Sequence, residues 1–193
     1  MEYDAKTALI VVDVQNDFAH PEGSLYVQEG EQVIPVINEE VARALEAGAA
    51  VVYTQDWHPV STPHFARDGG LWPVHCVAET WGAELHGDLH FNGAIIRKGT
   101  GADDGYSGFS ECDLTTGKKD GTDLEEVLRE KGIEKVVIAG LATDYCVKAT
   151  TLDATRRGFD ATVLTDAIRA VDLKPGDGDS AAREMEEAGA HLS

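Results

Sequence analysis

The sequence predicts a three-layer α/β/α domain with a mostly parallel, Rossmann-like sheet, and two observations predict it. Short apolar runs alternate with segments of helical spacing along most of the chain. Such runs are typical of strands that are buried on both faces of a parallel sheet, with helices as the connections. The composition agrees, because 42% hydrophobic and 26% charged residues suit one compact core. We therefore expect a single domain over residues 1–193, with right-handed crossovers between its strands.

The first half of the chain predicts three strands and one helix. TALIVVDV at 7–14 and AAVVYT at 49–54 are apolar runs of strand length, and GAIIRK at 93–98 is a shorter one. Between the first two, residues 31–47 place apolar side chains at helical spacing, and a glycine follows. Residues 56–77 have no clear period and are rich in proline, histidine and glycine, which predicts a functional loop.

The second half continues the alternation after a Gly- and Asp-rich segment at 99–123, which predicts loops and turns. Helical spacing that closes on a glycine identifies the next two helices, and apolar runs identify the strands. The predicted elements are, in order, a helix at 123–132, a strand at 134–140, a helix at 144–157, a strand at 160–167 and a helix at 180–189. The chain then ends in GAHLS, so a sixth strand is either very short or absent.

The charge balance argues against two classes of partner. Sixteen Lys and Arg against 35 Asp and Glu give a formal net charge of −19. Such a surface repels phosphate backbones and anionic lipid headgroups, which disfavours nucleic-acid and membrane binding. The acidity itself is either an ordinary solvated surface or an adaptation to high salt, where screening removes the self-repulsion.

The cellular compartment is predicted from the cysteines and the N-terminus. Cys76, Cys112 and Cys146 are an odd number of cysteines at wide spacing, which fits reduced thiols. No apolar run approaches the roughly 20 residues that span a bilayer, and the N-terminus lacks the order of a secretory signal. We therefore expect a cytoplasmic protein in which Cys76 and Cys112 are packing residues. The sequence does not determine the oligomeric state of the protein, and a homo-oligomer is one of the possibilities.

Three residues whose side chains could take part in catalysis lie at or after predicted strand ends: Asp13, Lys98 and Cys146. In open parallel sheets the ligand site lies beyond the carboxyl ends of the strands, so these residues should share one edge. Cys146 falls in the first turn of its helix, where the positive helix end should lower the pKa of the thiol. Its backbone N–H, with the turn around Ala142, could hold an oxyanion.

Burial should make Asp13 a usable general base, with Lys98 as the compensating cation. Each residue also has an ordinary interpretation. Cys146 could be a small packing residue, as most free cysteines are. Asp13 could cap a helix or a turn, and Lys98 could be an ordinary surface lysine. Their shared position at strand ends favours the functional interpretation.

A second group of donors lies in the irregular loop. Asp56, His58, His64 and His75 fall within residues 56–75 and are of the kind that bind Zn²⁺, Fe²⁺ or Mn²⁺. Spacing alone does not separate a metal site from a set of exposed loop histidines, and both interpretations stay open at this point.

Several pieces of the chain match one family pattern nearly end to end. They are ALIVVDVQNDF at 8–18, TQDWHP at 54–59, His64, LWPVHC at 71–76, IRKG at 96–99, DDGYSGF at 103–109 and GLATDYCV at 140–147. On these motifs the chain resembles the nicotinamidases (pyrazinamidases), within the isochorismatase-like group of cysteine hydrolases.

The resemblance implies a catalytic triad of Asp13, Lys98 and Cys146. Asp13 would be the base that takes the thiol proton, and Lys98 would balance the charge. The backbone N–H groups of Ala142 and Cys146 would form the oxyanion hole, with a cis peptide between Leu141 and Ala142.

The resemblance also implies one divalent transition metal, Zn²⁺, Fe²⁺ or Mn²⁺, held by Asp56, His58, His64 and His75. Its remaining positions would take water and the pyridine nitrogen of the substrate.

A substrate pocket is implied as well. Phe18 and Trp72 match aromatic walls around a flat ring, and Tyr106 falls in a pocket-lining segment. The implied reaction is hydrolysis of the carboxamide of nicotinamide, and of pyrazinamide, through a cysteine thioester, with the small-molecule amide as partner. The alternatives are another amide or carbamoyl hydrolase of the same group that needs no metal, a non-catalytic binding protein, and a zinc-stapled structural module.

Overall fold

The computed structural model describes residues 2–101, 103–114 and 116–193, and for Asp103 and Asp104 only the backbone. Its strands are β1 (Thr7–Val12), β2 (Ala50–Asp56), β3 (Ala94–Lys98), β4 (Asp103–Ser107), β5 (Ser110–Asp113), β6 (Lys119–Gly121), β7 (Lys135–Leu141), β8 (Asp160–Arg169) and β9 (His191–Leu192). Its α-helices are α1 (Asn16–Ala19), α2 (Val33–Glu46), α3 (Leu124–Glu130), α4 (Lys148–Arg156) and α5 (Asp177–Glu187). None of these helices combines the length and the apolar character that a membrane span requires.

Six strands form one parallel sheet in the order β3-β2-β1-β7-β8-β9. This confirms the predicted Rossmann-like α/β fold. All six residues of β1 are buried, as the unbroken apolar run requires. Leu9 packs in the core on the face covered by α2, together with Ile37. Ile10 packs on the opposite face with Leu128 of α3 and Met185 of α5.

The expectation of loops and turns over 99–123 is wrong for about half of this segment. β4, β5 and β6 form a separate antiparallel sheet there. These strands carry few apolar residues, and β6 is exposed throughout, so no apolar run marks them. Pairing across the hairpin, with Ser107 opposite Ser110, and burial of Phe109 between them stabilise the sheet instead.

Two other elements refine the prediction. The helix expected at 144–157 begins with a π-helical turn, Thr143–Val147, before α4 starts. The sixth strand exists but is very short, since β9 has two residues and pairs with Thr162 and Val163 of β8.

The strand order reverses between β1 and β7. These two strands are parallel neighbours, so their carboxyl ends lie side by side at one edge of the sheet. Val12 is the register partner of Gly140, and Gly140 has φ of +119°. A Cβ at Gly140 would lie 2.1 Å from the carbonyl oxygen of Val12, so only glycine allows this close approach. Ligand sites of open α/β sheets lie at such reversal points, which places the expected site next to Asp13 and Cys146.

Candidate active site

Three strand ends bring Asp13, Lys98 and Cys146 together. Asp13 follows β1, Lys98 ends β3, and Cys146 lies in the π-helical turn after β7. Lys98 Nζ is 2.8 Å from Asp13 Oδ2 and 3.5 Å from Cys146 Sγ. All three side chains are buried. We call these residues the strand-end triad.

Lys98 is a buried cation between two carboxylates, because its ammonium group also pairs with Asp56. Burial alone would lower the pKa of Lys98, but Asp13 and Asp56 raise it well above its usual value. Burial raises the pKa of Asp13 in spite of Lys98. Burial opposes ionisation of Asp56 as well, but the charge of Lys98 holds its pKa below the usual value. Asp13 is therefore the more basic of the two carboxylates.

The expected low pKa of Cys146 is wrong. Burial raises the pKa of this thiol well above its usual value, and Lys98 offsets the effect only in part. The cysteine lies inside a tight turn rather than at an exposed helix end, so loss of water outweighs the local dipole. A neutral thiol next to a basic carboxylate is suited to direct proton transfer from Cys146 to Asp13.

Thr54 orients Asp13 and was not predicted from the sequence. Its hydroxyl donates to Asp13 Oδ1 over 2.6 Å and accepts the backbone N–H of Asp13 at 3.2 Å. Asp13 itself has a positive φ of 48°, which turns the chain away from the sheet. Thr54 lies inside an apolar run, where a single threonine gives no functional signal.

The peptide between Leu141 and Ala142 is cis, as the family resemblance implied. The carbonyl oxygen of Ala142 accepts hydrogen bonds from the backbone of Tyr145 and Val147, both at 3.1 Å. Ala142 and Cys146 both line the cavity next to the strand-end triad.

His58, His64 and His75 form a buried group, here called the histidine cluster. One ring nitrogen of each lies within 4.8 Å of the others. Asp56 Oδ2 lies 3.8 Å from His58 Nε2 and 4.0 Å from His75 Nε2. The structure therefore brings Asp56 to the edge of the histidine cluster, and all four predicted metal ligands are buried rather than exposed loop residues.

The chemistry of this cluster fits a divalent transition metal. His58 Nδ1 pairs with the carbonyl oxygen of Gly99 at 3.0 Å, and His75 Nδ1 pairs with that of Pro73 at 2.7 Å. A carbonyl only accepts, so each Nδ1 carries the proton and each Nε2 presents a lone pair to the cluster. His58 Nε2 is buried without a hydrogen-bond partner in the described part of the chain. Burial lowers the pKa of His75 to about 4, which keeps the ring neutral as a metal ligand must be.

A cavity separates the strand-end triad from an aromatic wall. Phe18, Trp72 and Tyr106, all predicted as pocket residues, line it. Trp72 Nε1 donates to the hydroxyl of Tyr106 over 2.7 Å, which fixes both rings. Phe18 lies on the side of the histidine cluster, with its ring centroid 5.4 Å from that of His75.

Sequence reasoning missed part of this lining. Tyr145 packs edge-on against Trp72 with ring centroids 4.8 Å apart, and its place next to Cys146 was a usable signal. Leu25, Val27 and Val171 also line the cavity. They lie in connecting segments without periodicity, where the sequence carries no signal for them.

Two buried carboxylates that were not predicted hold the connecting segments in place. Asp144 accepts the backbone N–H groups of Val171 and Asp172, both at 2.9 Å. Asp17 accepts the N–H of Cys76 at 2.7 Å, directly after His75. These carboxylates explain how irregular segments present ordered side chains to the cavity.

The chain is similar to known proteins over nearly its whole length. It is 38% identical to the nicotinamidase of Escherichia coli (strain K12), an alignment that covers 96% of this chain and 93% of that protein. Against the pyrazinamidase of Pyrococcus horikoshii, solved in complex with zinc, the identity is 44%, the TM-score 0.87 and the coverage 97% and 98%. PnC1 from L. infantum, solved in complex with nicotinate, gives 36% identity, a TM-score of 0.89 and coverage of 100% and 95%.

The family model described as the isochorismatase domain matches residues 7–193. That span contains the strand-end triad, the histidine cluster and the aromatic wall of the cavity. On this match and on the relatives above, the chain belongs to the isochorismatase family.

Proposed function

We propose that this protein is a nicotinamidase, which hydrolyses the carboxamide of nicotinamide, and of pyrazinamide, to the acid and ammonia. The observation that carries the proposal is the contact of one buried ammonium, Lys98 Nζ, with both Asp13 and Cys146 at the wall of a small aromatic cavity. The names of the relatives support the same substrate class.

In the first half of the reaction, Asp13 takes the proton of the Cys146 thiol and the sulfur attacks the carboxamide carbon. Lys98 keeps the buried charges balanced throughout. The N–H groups of Ala142 and Cys146 stabilise the oxyanion of the tetrahedral intermediate. Asp13 then returns its proton to the departing nitrogen, the C–N bond breaks, and ammonia leaves a thioester on Cys146.

In the second half, Asp13 takes a proton from water, and the resulting hydroxide attacks the thioester carbon. The C–S bond breaks, Asp13 returns the proton to the sulfur, and the carboxylic acid is released. One carboxylate thus acts as base, then acid, then base and then acid again.

Asp56, His58, His64 and His75 would hold one divalent transition metal, and this ligand set suits Zn²⁺, Fe²⁺ and Mn²⁺. When bound, the ion would supply Lewis acidity toward the ring nitrogen of the substrate. Phe18 and Trp72 hold the flat ring between them, and Tyr106 fixes Trp72. The carboxamide then meets the thiol in a reactive orientation.

The same proposal includes the organisation and location of the protein. Residues 1–193 form one domain, which is supported by core clusters that pack on both faces of a single sheet. The protein works in the cytoplasm, which is supported by its free thiols at Cys76, Cys112 and Cys146.

The test is ammonia release from nicotinamide by the purified protein and by Cys146→Ala. We expect the variant to lose at least about 10³-fold in kcat, because no other group forms the thioester. Cys112→Ala is the matched control and should keep full activity, since Cys112 lies on β5 outside the cavity lining. Undiminished turnover by Cys146→Ala would end the nucleophile assignment.

A substrate panel separates this reaction from other amide hydrolysis. Benzamide has the carboxamide and the flat ring but no ring nitrogen, so its kcat/KM should fall well below those of nicotinamide and pyrazinamide. Faster turnover of a carbamoyl compound than of any ring amide would favour a different hydrolase of the same family.

A further inference from the structure

The side chain of Gln15 continues the hydrogen-bond ladder of β1 after that strand has ended. The last register pair between β1 and β2 joins Val11 to Tyr53, and the chain then turns away at Asp13. Asp56 lies further along β2, at its carboxyl end. There the backbone N–H of Asp56 donates to Gln15 Oε1, and Gln15 Nε2 donates to the carbonyl oxygen of Asp56, both over 2.8 Å. The amide of Gln15 thus takes the place of a strand backbone.

Gln15 is itself held rigidly. Its Nε2 also donates to the carbonyl oxygen of Ala83 over 2.8 Å, so both amide protons are used. Its backbone bridges to Leu85, and the residue is fully buried. A side chain with all these partners has one conformation. Because two of its hydrogen bonds go to the backbone of Asp56, it restricts the movement of Asp56 as well.

The residue that Gln15 holds in place is Asp56. On the β3 side its register partner is Lys98, so the backbone of Asp56 is held on both sides, by a strand and by an amide. Its Oδ1 pairs with Lys98, and its Oδ2 faces His58 and His75 of the histidine cluster at 3.8 and 4.0 Å. A small rotation of this residue would move the carboxylate away from one neighbour or the other.

We propose that Gln15 is a positioning residue that holds the Asp56 carboxylate in place for the metal, and that metal affinity depends on it although Gln15 is not a ligand. This inference rests on the metal site in the proposed function. The affected carboxylate also contacts Lys98, so Gln15 connects metal binding to the strand-end triad.

Gln55 provides a matched control. It lies next to Asp56 on the same strand and is also buried, at 5% exposure. Its Nε2 donates to the same carbonyl of Ala83, over 3.2 Å, and its Oε1 has no partner in the described part of the chain. Gln15→Met and Gln55→Met therefore remove similar amides that differ in their bonds to Asp56.

The experiment measures the Kd for Zn²⁺ of the full chain by competition with a chromophoric chelator. We expect Gln15→Met to bind zinc about 10- to 100-fold more weakly, the usual effect of removing a group that orients a metal ligand. Gln55→Met should stay within about a factor of two of the wild type. The visible spectrum of the Co²⁺ form should change in Gln15→Met only.

A double-mutant cycle separates positioning from general destabilisation. If Gln15 acts through Asp56, then Gln15→Met causes no further loss of zinc affinity once Asp56→Ala is present. Losses that simply add would overturn the proposal, as would equal zinc affinities of Gln15→Met and the wild type, or a wild type that binds no zinc.

Circular dichroism establishes that each variant is folded, and Gln15→Asn, which withdraws the amide by one methylene, replaces Gln15→Met if the latter does not fold. The zinc measurements use no amide substrate. A wild type that binds zinc, weakens on Gln15→Met and releases no ammonia would support Gln15 while removing the nicotinamidase assignment.

Discussion

Asp56 and Lys98 are register partners on neighbouring parallel strands, and their side chains form a buried ion pair where β2 and β3 end. Lys98 also contacts Asp13 and Cys146, whereas the second carboxylate oxygen of Asp56 faces the histidine cluster. The strand-end triad and the histidine cluster are therefore one connected assembly. Changes in either half should be measurable in the other.

Thr54→Val should lower kcat about 10- to 100-fold, because it removes a hydrogen bond to a charged group that is typically worth about 1.5–3 kcal/mol. Asp13 would lose the donor to its Oδ1 and the acceptor of its N–H. Thr7→Val is the control, since Thr7 is also buried and its hydroxyl bonds Asp4 at 2.7 Å, far from the cavity. Both variants should lose stability in urea, and an equal loss of kcat in both would contradict the role of Thr54.

Gly99→Ala should weaken metal binding, because the added Cβ would lie 2.4 Å from the ring of His58. Gly132→Ala is the control: both glycines have φ of +67°, but no atom of the described residues lies within 4 Å of a Cβ at Gly132. Each variant should lose about 1–2 kcal/mol in urea unfolding from the left-handed conformation. Only Gly99→Ala should also lose zinc affinity in a titration, and unchanged affinity would show that His58 does not need its present position.

Removal of the metal by a chelator should raise KM and abolish efficient turnover while the protein stays folded. The histidine cluster lies in the irregular segment after β2. The hydrophobic core on both faces of the sheet contains none of its three histidines, so the fold should not depend on the metal. Activity should return on adding Zn²⁺, Fe²⁺ or Mn²⁺. A far-UV circular dichroism spectrum that collapses at 25 °C on chelation would instead indicate a zinc-stapled structural module.

Asp153→Asn should lower the free energy of unfolding at pH 7 by about 2 kcal/mol, the scale of hydrogen bonds to a charged group. Asp153 accepts bonds from Ser107 at 2.8 Å and Ser110 at 2.9 Å, and it pairs with Arg157 at 3.3 Å. Burial opposes its ionisation, but these partners outweigh it and hold the pKa of Asp153 below its usual value.

The lowered pKa of Asp153 determines how the stability of the protein should depend on pH. A lowered pKa in the folded state stabilises the protein above the pKa of the unfolded carboxyl, about 3.9. The stability gap between the wild type and Asp153→Asn should therefore persist from pH 7 to about 5 and shrink as the pH falls below about 4. Urea unfolding at several pH values measures it, with Asp179→Asn as the exposed control. A gap that is constant down to pH 3 would contradict this account.

The sequence predicted the parallel sheet and the meeting of Asp13, Lys98 and Cys146 from local information. Apolar runs mark strands buried on both faces, and parallel strands place their carboxyl ends at one edge. It did not predict β4, β5 and β6, because these strands depend on cross-strand pairing and on Phe109 rather than on apolar alternation.

The chain by itself thus determined the strands of the parallel sheet, most of their connecting helices, and which reactive residues lie at the strand ends. Only the tertiary structure decided that Thr54 bonds Asp13, that Gln15 holds Asp56, and that burial raises the pKa of Cys146. The first two contacts each join residues 41 positions apart, through side chains whose meeting depends on strand register. The pKa depends on how much water the finished packing excludes, and neither register nor exclusion of water is encoded in a local pattern.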